Sequence, residues 1–108
     1  MNIQFKKGVL ELCVLSMLQE KDRYGYELVS EVSKNVHIAE GTIYPLLKRL
    51  RDEKYVTTYL VESKEGPSRK YYSLSTRGRT ACLALIDEWE DFVEGINTIV
   101  GKGVRDNE

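Results

Sequence analysis

With 108 residues, 42% hydrophobic and 31% charged, the chain has the size of one compact domain with an appendage, and too little apolar sequence for a membrane protein. Its net charge of −1 excludes indiscriminate attraction to polyanions. A domain this small buries a modest core, which makes a second copy a natural source of further burial.

The first stretch carries Lys6 and Lys7 before an apolar run, the superficial pattern of a secretion signal, but Glu11 interrupts it and no small-residue cleavage site follows. The run is also far short of the roughly 20 residues that span a bilayer. A folded helix over 5–19 and a soluble, cytoplasmic protein with no membrane partner are expected. Val9, Leu10, Leu12, Cys13, Val14, Met17 and Leu18 give this helix an apolar surface wider than one stripe, which predicts burial on two flanks.

A turn at 20–22 follows, with Asp22 the expected cap of a second helix that carries Tyr26, Leu28, Val29 and Val32. Gly25, near the start of that helix, permits close packing. Residues 35–38 read as a connector or a short strand.

From Ala39 to Arg51 the apolar positions Ile43, Leu46, Leu47 and Leu50 step by three and four, so they share one helix face. The other faces keep Thr42, Tyr44, Lys48, Arg49 and Arg51. Pro45 lies early enough that its missing N–H is one of the amides a helix leaves unpaired, and it marks a start. Two helices joined by a short connection make a helix-turn-helix unit.

The β-branched and aromatic runs 55–61 and 71–74 flank Gly66-Pro67 and predict a hairpin with a charged tip over 62–70. Ser75 or Thr76 then caps a last helix that runs to about Val100, where Gly101 and Gly103 loosen it. On it Cys82, Leu85, Trp89, Phe92, Ile96 and Ile99 form a heptad-like stripe that requires a partner helix. The expected fold is mostly α with a small β-hairpin: a winged helix-turn-helix over 1–74, one long C-terminal dimerisation helix over 75–101 and a flexible tail over 102–108.

Charge is distributed unevenly along this frame. From Gly41 to Arg79 there are nine bases against four acids, a net +5, whereas from Thr80 to Glu94 there are five acids and no base. The first segment suits a polyanion and the second is repelled by one. The candidate DNA contacts are Thr42 and Tyr44 at the head of the basic helix, Lys48 and Arg51 one turn apart on it, and Lys64, Arg69 and Lys70 at or beside the hairpin tip. Competing readings make Thr42 a cap, Tyr44 a packing residue, and the charges solvated partners of nearby acids.

Three motifs carry a family resemblance: Tyr24-Gly25-Tyr26-Glu27-Leu28; Gly41-Thr42-Ile43-Tyr44-Pro45-Leu46-Leu47 with Arg49-Leu50; and Gly66-Pro67-Ser68-Arg69-Lys70-Tyr71-Tyr72 with Leu74, Thr76 and Gly78. With this order of helices and hairpin, the chain resembles the PadR family of bacterial transcriptional regulators, over about residues 12–78. The single helix that follows is similar to the compact subgroup. The resemblance implies a homodimeric repressor on an inverted-repeat operator, with Thr42, Tyr44, Arg69 and Lys70 matching the family motifs. In some members a small molecule releases the DNA.

Trp89 lies mid-stripe, and two copies brought together by symmetry could sandwich a flat hydrophobic or cationic effector. In drug-responsive members of the compact subgroup a tryptophan at the matching place stacks on planar compounds. Helical spacing puts Leu85 and Val93 beside Trp89, facing the first helix through Phe5, Gly8 and Leu12. The competing reading is an aromatic dimer anchor with no ligand.

Cys13 and Cys82 show no CxxC spacing and no nearby His, so buried thiols or a redox switch are the alternatives, and His37 stands without metal-ligating neighbours. No nucleophile–base pair, phosphate loop or metal cluster is visible, so no enzyme and no cofactor are expected. The rival function is a winged-helix protein-interaction module.

Overall fold

The computed structural model of the chain describes the backbone of residues 3–106 and the side chains of residues 8–39 and 41–101. The order is α1 (Ile3–Glu20), β1 (Arg23–Tyr24), α2 (Gly25–Asn35), α3 (Ile43–Asp52), β2 (Val56–Val61), β3 (Arg69–Leu74) and α4 (Thr76–Asp106). A 3₁₀ turn, Glu40–Thr42, leads into α3.

α1 is apolar on several sides because α2, α4 and β3 all pack on it. Leu10, Val14, Leu15 and Leu18 meet Leu28, Val29 and Val32 of α2, Ile43, Leu47 and Leu50 of α3, and Val56 of β2 in one core. Fully burying each such aliphatic chain stabilises the fold by roughly 1.5–3 kcal/mol. This is the winged helix-turn-helix arrangement with a long C-terminal helix that the sequence predicts.

Residues 36–39 are a connector, the first of the two readings offered for that stretch. Three local expectations are corrected. Asp22 does not cap α2; Tyr24 occupies that place, and its N–H donates to Glu27 Oε1 at 3.3 Å. The sheet has three strands rather than two, in the order β1-β3-β2, with Tyr24 opposite Tyr71 and Tyr71 opposite Tyr59. α4 passes through Gly101 and Gly103 and ends at Asp106, because an isolated glycine weakens a helix without terminating it.

Alternation divides the sheet into two faces. Val56, Tyr72 and Leu74 turn to the core, and Tyr24, Tyr59 and Tyr71 lie on the opposite face.

Ser75 joins the head of the molecule to α4. Its single hydroxyl proton is shared between the carbonyl oxygens of Lys54 (2.7 Å) and Tyr55 (2.9 Å), and its Oγ accepts from the Gly78 N–H (3.0 Å), so of the two candidates Ser75 is the N-terminal cap. Its own N–H donates to Tyr55 O at 3.0 Å. Gly78 is buried at this joint, where a Cβ would lie 2.0 Å from Tyr55 O. From there α4 runs out of the head and stretches the molecule to 59 × 27 × 23 Å, with a radius of gyration of 16.5 Å against the ~13 Å of a compact chain of this size.

Candidate nucleic-acid interface

α3 is held by one face and presents the other. Ile43, Leu47 and Leu50 are buried and Leu46 packs on the core, so Thr42, Tyr44, Lys48, Arg49 and Arg51 are left exposed. Pro45 is the third residue of the helix, within the first turn, where no intrahelical acceptor awaits its missing N–H. The Thr42 hydroxyl makes no capping hydrogen bond. Tyr44 is half exposed, and its ring and that of Tyr72 converge over Gly25, where a Cβ would meet them at 3.9 and 3.6 Å.

The cations of α3 divide by what surrounds them. Arg49 is bound internally, to Glu11 at 3.2 Å and Glu53 at 3.0 Å, and so ties α3 to α1. Arg51 keeps a looser contact with Asp52 at 3.7 Å and lies beside Tyr72. Burial raises the Tyr72 phenol pKa, and the Arg51 charge partly offsets that rise. Lys48 forms no ion pair among the described residues.

α3 stops in a Schellman arrangement: Tyr55 N–H donates to Leu50 O (2.9 Å) and Lys54 N–H to Arg51 O (3.0 Å). This places Lys54 at φ 65°, a left-handed conformation that a non-glycine residue adopts at a cost. The tight stop lets β2 start directly beside α3.

In the wing, β2 and β3 are in antiparallel register from Val56↔Leu74 to Val61↔Arg69. The connecting loop 62–68 holds Lys64 against Glu62 and Glu65, so the tip itself is net −1 and the positive charge stands at the start of β3. Lys70 pairs with Leu60 on the face that carries Tyr72, the side of α3. Arg69 is on the other face, with its guanidinium 4.8 Å from the Tyr24 ring centroid. The fold thus collects Tyr44, Lys48, Arg51 and Lys70 on one side, places Lys64 at the tip, and turns Arg69 away onto the tyrosine face.

Residues that sequence reasoning missed lie around that face. The two-residue strand β1 is too short for any periodic signal. The Tyr59 hydroxyl donates to Asp22 Oδ2 at 2.7 Å, which gives Asp22 its actual role. The tyrosines of the Tyr24-Gly25-Tyr26 and Tyr71-Tyr72 motifs were visible, but their mutual stacking was not.

On α4 the expected stripe is partly covered. Cys82, expected at a dimer contact, is instead fully buried in the chain's own core, with Sγ 4.0 Å from Ser16 Oγ. Burial raises its thiol pKa above the ordinary value, and burial does the same for Cys13. Farther along, Trp89, Phe92, Ile96 and Ile99 are exposed, Ile99 by 72%. Trp89 lies between two open grooves. One, of about 360 Å³, is lined by Gly8, Val9, Leu12, Leu85, Glu88, Trp89 and Phe92; the other runs along α4 past Glu90, Val93, Glu94, Asn97 and Thr98. Gly8, Leu12 and Leu85 therefore do gather at Trp89, while Val93 lies on its other side; the Phe5 side chain is outside the described residues. No group of His, Cys, Asp and Glu among the described residues is arranged to hold a metal ion, and no helix is long and apolar enough to cross a membrane.

Comparisons with known proteins agree with this architecture. The chain is similar to a Streptococcus transcriptional regulator of known structure at 39% identity, covering 91% of this chain and 98% of that one with a TM-score of 0.81. It is similar to a PadR-like transcriptional regulator from Bacillus cereus at 35% identity, covering 90% and 96%, with a TM-score of 0.80. The Bacillus subtilis PadR, solved in complex with operator DNA, shares the fold at 24% identity and a TM-score of 0.65, over 72% of this chain and 46% of that one. Among curated proteins, one from Lysinibacillus sphaericus with no assigned role is 33% identical over 84% of this chain and 87% of its own length. The transcriptional regulator YqjI of Escherichia coli is 29% identical over 95% of this chain, which spans only 50% of that protein's length. The model of the transcriptional regulator PadR-like family matches residues 14–96, and the chain belongs to that family.

Proposed function

We propose that the protein is a homodimeric transcriptional repressor that binds an inverted-repeat operator. The observation that carries this reading is the undivided exposed face of α3, where Tyr44, Lys48 and Arg51 stand beside Lys70 of the wing. An exposed helix of this size fits the major groove, and the adjacent hairpin meets the backbone or the minor groove. The Bacillus subtilis PadR, which shares this fold, was solved in complex with operator DNA, and that supports a DNA partner for the same architecture.

Dimerisation follows from the arm. Trp89, Phe92, Ile96 and Ile99 expose a continuous apolar stripe that a second copy of α4 would cover. Leu85 would flank that contact, and Cys82 would support it from the core side. An operator with two half-sites requires the two α3 helices to lie on one side of such a pair.

The groove at Trp89 favours a second element of the reading: release by a planar hydrophobic or cationic small molecule. One wall is aromatic and aliphatic, and Glu88 stands at its edge. A partner's Trp89 would supply the opposing wall.

The test is fluorescence anisotropy of the protein with a labelled duplex from its own promoter region, at several salt concentrations and against a scrambled duplex. Tight binding that prefers the promoter and weakens steeply with salt is the expected result. Binding that ignores both sequence and salt would overturn it in favour of a protein-interaction module. Quenching of Trp89, the sole tryptophan, across a panel of planar cations tests the effector; emission unchanged by the whole panel would remove that element.

A further inference from the structure

A two-stranded hairpin is marginally stable by itself, and this one reaches past the core, where Leu60 is 68% exposed. Something must fix its direction if its basic residues are to meet DNA at a set distance from α3. The outer face of the sheet holds a continuous row suited to that task. Tyr59, Tyr71 and Tyr24 are cross-strand neighbours on β2, β3 and β1, with ring centroids 5.6 and 5.7 Å apart. The row is tied at both ends. From β2, the Tyr59 hydroxyl reaches Asp22 Oδ2 (2.7 Å), just ahead of β1; from β3, Arg69 lies over the Tyr24 ring. Tyr24 is itself the first residue before α2, with its N–H bonded to Glu27, and α2 packs on α3.

We propose that this row is a strut that sets the angle of the wing against α2 and α3, so that Tyr59 and Arg69 are positioning residues that act on DNA affinity through the placement of Lys64 and Lys70. The inference rests on the DNA-binding reading above. Arg69 fits the role because the β3 register turns it to the face opposite Lys70. Tyr59 fits it because its hydrogen bond spans all three strands.

The experiment uses the intact protein and labelled duplexes recovered with it from a random-sequence pool, at several salt concentrations and at a temperature where melting curves show every variant folded. Tyr59→Phe removes one donor and is expected to weaken binding about fivefold, the worth of one hydrogen bond, with the salt slope unchanged. Arg69→Gln is expected to weaken binding by a similar factor, also without changing the slope, and the double variant to lose less than the product of the two. A slope that falls by about one in Arg69→Gln would make Arg69 a phosphate contact and overturn the strut. In parallel, amide exchange of β1 and β3 in DNA-free Tyr59→Phe should accelerate several-fold; exchange at the unaltered rate would also overturn it. If the wild-type protein recovers no preferred duplex, the DNA-binding reading itself fails, and the exchange result still reports on the strut alone.

Discussion

α3 and α4 carry the same three-and-four apolar stepping, and the fold treats them in opposite ways. On α3, Ile43, Leu47 and Leu50 are buried to 1% exposure or less, while on α4 Trp89 and Ile99 keep 38% and 72%. The difference lies in what surrounds each helix: α3 is enclosed by α2 and β2, whereas α4 leaves the core after Ile86 with only the early part of α1 beside it. A period in the sequence therefore identifies a face that seeks cover, and the tertiary arrangement decides whether the same chain or another copy supplies it.

The sharpest way to separate the two regions is at their joint. Gly78→Ala forces a methyl onto the Tyr55 carbonyl and is expected to cost about 3 kcal/mol or more of stability, at the upper end of overpacking effects. Urea denaturation followed by circular dichroism measures it; a loss under 1 kcal/mol would mean that the joint yields. Trp89→Ala should weaken dimerisation by about 2–3 kcal/mol, beyond the smaller loss of monomer stability from uncovering the groove it shares with α1. Sedimentation equilibrium checks this, and an unchanged dimer constant would remove the indole from the contact.

Lys48→Ala tests the head in isolation. It should weaken operator binding by on the order of 1–2 kcal/mol and leave dimerisation untouched, and the salt slope should fall by about one if the ammonium meets phosphate. At the end of α3, Lys54→Gly should raise stability by about 0.5–1 kcal/mol, because relief of the left-handed strain exceeds the added freedom of the unfolded chain. The smallest effect concerns the thiols, both with raised pKa. Cys13, only partly covered, should react slowly with a chromogenic disulfide at neutral pH, and Cys82 more slowly still until the protein unfolds.

Much of this organisation was legible in the sequence. The helix pattern, the hairpin and the basic segment follow from period, turn residues and charge, and the exposed face of α3 is what remains once its apolar positions are assigned. The sequence was silent where a single contact across a large separation decides. Asp22 looked like a cap until Tyr59, from the far strand, claimed its carboxylate. Arg69 and Lys70 are adjacent in sequence and equally basic, yet alternation along β3 sends them to opposite faces, and the direction of that alternation is set only once Tyr72 is docked on the core. Cys82 kept the period of the arm but fell on the near side of the point where α4 leaves α1.

The cluster of hydrogen bonds at Ser75 has a mechanical meaning for the proposed dimer. With the end of α3, the start of β2 and the first turn of α4 all fastened to one residue, the helix can be treated as a lever with its fulcrum at the joint. From Gly78 to Ile96 the lever is ~27 Å long at 1.5 Å per residue. In the proposed dimer, a rotation of only a few degrees between two such levers would be magnified into a shift of more than an ångström between the two heads. DNA repeats at a fixed pitch, so a displacement of this size would be felt as a change of register along the groove.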